Sequence, residues 1–258
     1  MKRRDVPEIE DQRWCPEWLR SAMTGYLQEA IRLSRPYASA APRIAELLIE
    51  QKSANVVDLC SGAGGPWPEL RETIEAEGVN DVSIVLTDLH PNGDAIDALR
   101  TQSRLRYFRD PVSALAVPTQ LTGVRTMFTA LHHFGRTEIR AILDSARQDQ
   151  TAFAAFEATH RSVKGLLITL LIPFLVLLLM PRVRPFRWQS ILFTYLLPII
   201  PLAIWWDGFA STLRTYRASD LEELGVGDIA YEVSVTERVV KGLPVPMLEV
   251  IGRPIRRA

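Results

Sequence analysis

Apolar residues recur along this chain with two periods. Between residues 14 and 34, Trp14, Trp18, Ala22, Tyr26 and Ala30 fall at steps of four, with Leu19, Met23, Leu27 and Ile31 alongside. That is one broad face of an amphipathic helix, which Pro36 ends or kinks. A second helix starts near Pro42 and turns Ile44, Leu47 and Leu48 inward. The pattern then shortens: Val56-Val57-Asp58-Leu59 reads as a strand, and Cys60-Ser61-Gly62-Ala63-Gly64-Gly65-Pro66-Trp67 as a glycine turn into a helix that Pro66 can start.

Strands and helices alternate from there. Leu70 and Ile74 mark a helix that Gly78 caps, and Val82 to Thr87 is a nearly continuous apolar strand ending at Asp88. A short strand, Leu105 to Phe108, runs into Arg109-Asp110-Pro111. The stretch from Gly123 to Ala130 is followed by Leu131-His132-His133-Phe134, and after a helix containing Ile139, Ile142 and Leu143 comes a strand from Thr151 to Glu157. Near the end, Ser219 to Gly225 is a short helix, and Tyr231, Val233 and Val235 alternate, as do the neighbours of Met247 and Val250. Such alternation predicts an α/β, doubly wound, mostly parallel sheet.

One region breaks the pattern. Leu166 to Met180 and Gln189 to Trp206 contain no charged residue, and between them lie Arg182, Arg184 and Arg187 with no acid. Fifteen helical residues rise about 22 Å, short of the roughly 30 Å hydrocarbon core. A spanning hairpin would also place three arginines opposite the domain, against the positive-inside tendency. The expectation is a helical hairpin dipping into one leaflet, with Trp188, Trp205 and Trp206 near the interface. An apolar lid packed on the domain, or a contact between two copies of the chain, is the alternative. The chain then divides into an N-terminal helical cap (1–53), a core (54–164), the insertion (165–206) and a C-terminal completion of the core (207–258).

The candidate chemistry gathers at strand ends. A strand ending in a glycine turn at a helix N-terminus lets backbone amides approach a small polar ligand. A phosphate-binding Walker loop would need Gly-Lys-Ser/Thr, which is absent, and a dinucleotide turn needs a third glycine where Trp67 stands. The stretch resembles motif I of the class I S-adenosylmethionine-dependent methyltransferases, Asp-x-Gly-x-Gly-x-Gly. Asp58, Gly62 and Gly64 match it, while Cys60 replaces the first glycine. The resemblance covers about residues 55–160 and 216–252, and implies seven strands with an antiparallel closing hairpin and S-adenosylmethionine as cofactor. It also implies cofactor contacts from Asp58, Cys60, Gly62, Gly64 and Ala130, from Asp88 to the ribose and from Asp110 to the adenine. The residues alone leave a plain strand–helix turn, a helix-capping Asp88 and a turn-forming Asp110 open.

His132 and His133 follow the fourth strand, whose end faces the same crevice in an open parallel sheet. They resemble motif IV of several small-molecule methyltransferases, where a histidine serves as general base; two histidines bonded to backbone or water remain the plainer reading. Glu157 and His160, one strand over, are further candidates. No metal is expected, because adjacent side chains rarely converge on one ion and no carboxylate cluster lies nearby in sequence.

Composition adds limits. Thirty basic and thirty acidic side chains leave no net charge, so no nucleic-acid partner is expected. Cys15 and Cys60 form no disulfide framework, and the charged N-terminus is not followed by an apolar run. A cytoplasmic, membrane-associated methyltransferase acting on a small hydrophobic acceptor is the resulting expectation. A membrane-associated scaffold without catalysis is the alternative class, invited by Cys60; a nicotinamide-dependent reductase is the third, and Trp67 weighs against it.

Overall fold

Seven strands form one sheet in the order β3-β2-β1-β4-β5-β7-β6 in the computed structural model, which describes residues 1–225 and 230–255. β1 (Asn55–Leu59), β2 (Ser83–Leu86), β3 (Leu105–Tyr107), β4 (Val124–Phe128) and β5 (Phe153–Glu157) are parallel; β7 (Met247–Pro254) runs antiparallel between β5 and β6 (Tyr231–Arg238). This is the doubly wound α/β sheet with an antiparallel closing hairpin that the sequence and its resemblance predicted.

β4 and β5 are buried along their whole length because helices cover both faces, whereas β6 alternates at the sheet edge. On one face α2 (Ala41–Gln51) and α3 (Trp67–Ala76) bring Ile44, Leu48, Trp67 and Ile74 onto Val56 and Ile84. On the other, Ile139 and Leu143 of α5 (Arg136–Gln148) cover Val57, Met127 and Phe153. A charged residue inside β4 needs partners there: the buried guanidinium of Arg125 donates to Ser145 at 3.0 Å and pairs with Asp149.

The N-terminal cap and the insertion form one layer instead of two units. Leu19, Met23 and Tyr26 of α1 (Glu17–Ser34) pack on Val176 and Leu179 of α7 (Ile172–Leu179) and on Ile200 and Ile204 of α9 (Ile199–Arg214). The apolar face of α1 thereby finds its partner in the insertion. Two expectations are corrected. The first helix starts at Glu17, after Pro16, and Trp14 is exposed; Trp18 stacks on Phe193 with ring centroids 4.7 Å apart. The insertion also runs past Trp206 to Arg214 within α9.

Its first arm is longer than the uncharged stretch alone. α6 (Val163–Thr169), α7 and a 3-10 turn over Met180–Arg182 follow one another as a 20-residue apolar rod. At 1.5 Å per residue that is about 30 Å, so length does not argue against spanning as expected from fifteen residues. The second arm, α8 (Trp188–Ile191) and its π-helical continuation to Leu196, then α9, bends by 79° at Leu197-Pro198. Pro173 and Pro201 fall in the first turns of α7 and α9, where a missing amide proton costs nothing. One side of this layer is left uncovered: Leu167, Leu171, Phe174, Leu178, Leu196 and Leu202 are each more than half exposed.

Candidate active site

A cleft of about 610 Å³ opens beyond the carboxyl ends of β1, β2 and β4. Its floor is the glycine turn. Gly62, Gly64 and Gly65 all take positive φ, and so does Cys60 at +58°, the left-handed conformation that favours the glycine it replaces. The amides are used differently from the expectation. Ser61 N–H donates to the Thr87 carbonyl at 2.9 Å, Gly64 N–H to the Ser61 carbonyl at 2.8 Å and Gly62 N–H to the Asp88 carboxylate at 2.9 Å. The glycines thus act mainly as a wall without side chains, pinned by Tyr107, whose hydroxyl donates to the Gly62 carbonyl at 2.8 Å, and by Gln28 of α1, which donates to the Gly65 carbonyl at 2.9 Å.

Each expected cofactor residue has a definite place. Asp58 lies under the turn, its carboxylate accepting from Ser61 Oγ at 2.6 Å and Thr126 Oγ1 at 2.7 Å; burial pushes it up to about 7. It braces the turn from below while bordering the cleft. Asp88 is half-buried and accepts from the Gly62 and His90 amides, one on each oxygen; burial raises it. A carboxylate has about four acceptor sites, so two remain for hydroxyls. Cys60 and Ala130 line the cleft, and burial raises the Cys60 thiol well above its usual range, so it is an unreactive wall. Asp110 is exposed and outside the cleft lining, which its neighbour Pro111 reaches instead.

The two histidines part company. His132 is buried, with Nδ1 2.7 Å from Glu157 Oε2 and Nε2 3.5 Å from Glu8 Oε1. Burial alone would lower this imidazole, yet Glu157 and Glu8 outweigh it and hold it at about 10. Enclosed by these two carboxylates, it is poorly placed to take a proton from a substrate, which favours His133 of the two candidate bases. His133 faces the cleft, with Nδ1 2.9 Å from Asp11 Oδ1. Glu157 also accepts the Leu131 amide at 2.6 Å, and His160 stands 3.4 Å from Glu237.

Sequence reasoning missed the N-terminal segment. Glu8, Glu10 and Asp11 precede α1 and reach the site because Asp207 of α9 accepts the Ile9 and Glu10 amides at 2.6 and 2.9 Å. Arg214 holds Asp11 at 2.8 Å and Glu8 at 3.3 Å. Burial, then Asp207 and Asp88, push Glu10 up to about 8. The only sequence signal was three acids in four residues ahead of a helix. Glu8 also brings beside the two histidines a carboxylate that their sequence neighbourhood lacks, from the far end of the chain.

A second cavity of about 290 Å³ adjoins the cleft. Met23, Tyr26, Ile168, Ile172 and Ile204 make its walls, and Glu8, His132 and His133 a polar end. Leu27, Glu10, Thr129 and His133 line both spaces.

No known family matches the sequence, and no curated protein does. Solved structures with a similar fold include the O-methyltransferase NcsB1 from neocarzinostatin biosynthesis, solved with S-adenosyl-L-homocysteine and 1,4-dihydroxy-2-naphthoic acid, at TM-score 0.49 and 15% identity over 90% of this chain and 57% of that one. The mitomycin 7-O-methyltransferase MmcR is similar at TM-score 0.46 and 13% identity, covering 85% and 54%. The pyocyanin biosynthetic protein PhzM aligns at TM-score 0.42 and 16% identity, covering 83% and 55%. This chain spans little more than half the length of these proteins. At such identities the likeness is one of fold.

Proposed function

We propose that this protein is an S-adenosylmethionine-dependent methyltransferase whose hydrophobic acceptor enters through the second cavity. The observation that carries the reading is the junction of two unlike spaces at Thr129 and His133: a polar cleft built on the glycine turn and Asp88, and an apolar pocket between α1 and α9. Asp88 would accept hydrogen bonds from the ribose hydroxyls, and Gly62 and Gly64 would leave room for the methionine end. The cofactor supplies an electrophilic methyl group on a sulfonium. The protein's share is alignment of the acceptor with that carbon, which can contribute several kcal/mol, on the order of 7–11. Proton removal, where the acceptor needs it, falls to His133, which lines both spaces, whereas His132 is enclosed by Glu157 and Glu8.

The uncovered apolar side of α6, α7 and α9 supports a reading in which the protein sits on the cytoplasmic face of a membrane and draws its acceptor from the lipid phase. Phe174, Leu178 and Leu196 would enter the leaflet, with Arg182 and Arg184 at the phosphates.

Calorimetric titration with S-adenosylmethionine and S-adenosylhomocysteine, beside the Asp88→Ala variant and a nicotinamide dinucleotide, tests the reading. Binding of both sulfur compounds, weakened by the substitution, is expected. A folded protein that binds neither would leave the scaffold reading in its place.

A further inference from the structure

We infer that Glu8, His132 and His133 form a binding site for one divalent transition-metal ion of the zinc class, at the polar end of the apolar cavity. One ligand atom from each residue can be chosen so that all lie within 4.8 Å of one another. Glu8 faces both rings with a different oxygen to each, Oε1 3.5 Å from His132 Nε2 and Oε2 3.7 Å from His133 Nε2. Ligands placed tetrahedrally at 2.0–2.2 Å from a zinc ion are about 3.3–3.6 Å apart, so both separations are near the required spacing.

Two further observations point to an ion. Among the described residues, buried His132 Nε2 makes no well-formed hydrogen bond and faces only the Glu8 carboxylate, 3.5 Å away, a gap that an ion between the two would fill. The opposite nitrogen of each ring is held by a carboxylate: His132 Nδ1 by Glu157 at 2.7 Å and His133 Nδ1 by Asp11 at 2.9 Å. That is the outer arrangement by which metal-bound imidazoles are oriented and kept basic.

Two imidazoles and one carboxylate leave coordination positions for an oxygen ligand, as in catalytic zinc and non-haem iron sites. All three residues line the cavity, so that ligand would come from its contents. The site does not depend on the methyltransferase reading. On that reading, the ion would bind an acceptor hydroxyl and lower its pKa, with His133 serving as ligand instead of base.

The test uses the whole chain, stripped with a chelator and titrated with Co²⁺ in the absence of any sulfur nucleoside. One Co²⁺ per chain is expected, with visible absorption bands of low coordination number, displaced by Zn²⁺. Glu8→Gln and His133→Ala should each weaken binding by at least tenfold, and Glu157→Gln by about 10–100-fold through the ring it orients. His90→Ala, which removes an exposed histidine at the cleft, should leave the spectrum unchanged. Absence of stoichiometric Co²⁺ binding by protein with native circular dichroism overturns the site, as does binding indifferent to both Glu8→Gln and His133→Ala. An unchanged cobalt spectrum in Asp88→Ala separates this result from any failure of nucleoside binding.

Discussion

The backbone N–H of Gly62 donates to the carboxylate of Asp88 at 2.9 Å, tying the turn after β1 to the end of β2. One acidic side chain thus both shapes the glycine turn and presents its remaining acceptor sites to the cleft. Hydrogen bonds to a charged group contribute about 1.5–3 kcal/mol each. Asp88→Ala is therefore expected to weaken S-adenosylmethionine binding by roughly 10–100-fold, read by calorimetry. Asp88→Asn, which keeps one acceptor, should lose less; equal affinity in all three proteins would remove Asp88 from the site.

Cys60 sits at φ +58° in a position where glycine is strain-free. A left-handed residue with a Cβ costs about 1–2 kcal/mol, while glycine costs about 0.5–1 through unfolded-chain entropy. Cys60→Gly should raise stability in urea denaturation by about 0.5–1 kcal/mol, and Cys60→Val should lower it. A loss in Cys60→Gly would show that the thiol's packing outweighs the strain.

Asp58 is raised by burial to about 7 from an unfolded value near 3.8. Between these values the folded protein keeps a proton that the unfolded chain has lost. Its contribution is thus fully present below about pH 4 and declines as pH rises to 7. Asp58→Asn cannot titrate, so its stability relative to the parent should rise across that window by a few kcal/mol, about 1.4 for each step of one in pH. Parallel denaturation midpoints from pH 4 to 7 in the two proteins would contradict this.

Phe174 and Leu178 project from α7 at 69% and 60% exposure. Aspartate at both positions leaves the core intact, so the melting temperature should change little. Cosedimentation with anionic phospholipid vesicles should fall at least tenfold if this face enters lipid. Undiminished binding would assign the face to another partner, such as a second copy of the chain.

Local pattern carried much of the fold. The apolar runs ending at Leu59 and Leu86 and the run through β4 could only be strands of a covered sheet, and Gly78 and Pro66 marked helix ends by backbone chemistry that needs no neighbour. The positions of the glycine turn and Asp88 were legible for the same reason: both follow from strand ends. That Asp110 stands exposed outside the cleft lining was not legible, because the three residues of β3 do not fix where the following loop points.

By itself the sequence determined which segments are strands, which faces of the helices are apolar and at which strand ends the cleft opens, since these depend on spacing within a few residues. Only the tertiary structure decided that α1 packs on the insertion, that Asp207 draws Glu8 and Asp11 into the site, and that His132 lies between Glu8 and Glu157 while His133 faces the cleft. Such facts rest on contacts between residues about 25 to 200 positions apart, and on burial that turns a surface-like run of acids into partners for imidazoles. No local periodicity encodes them, because their energies arise only when water has been excluded between distant parts of the chain.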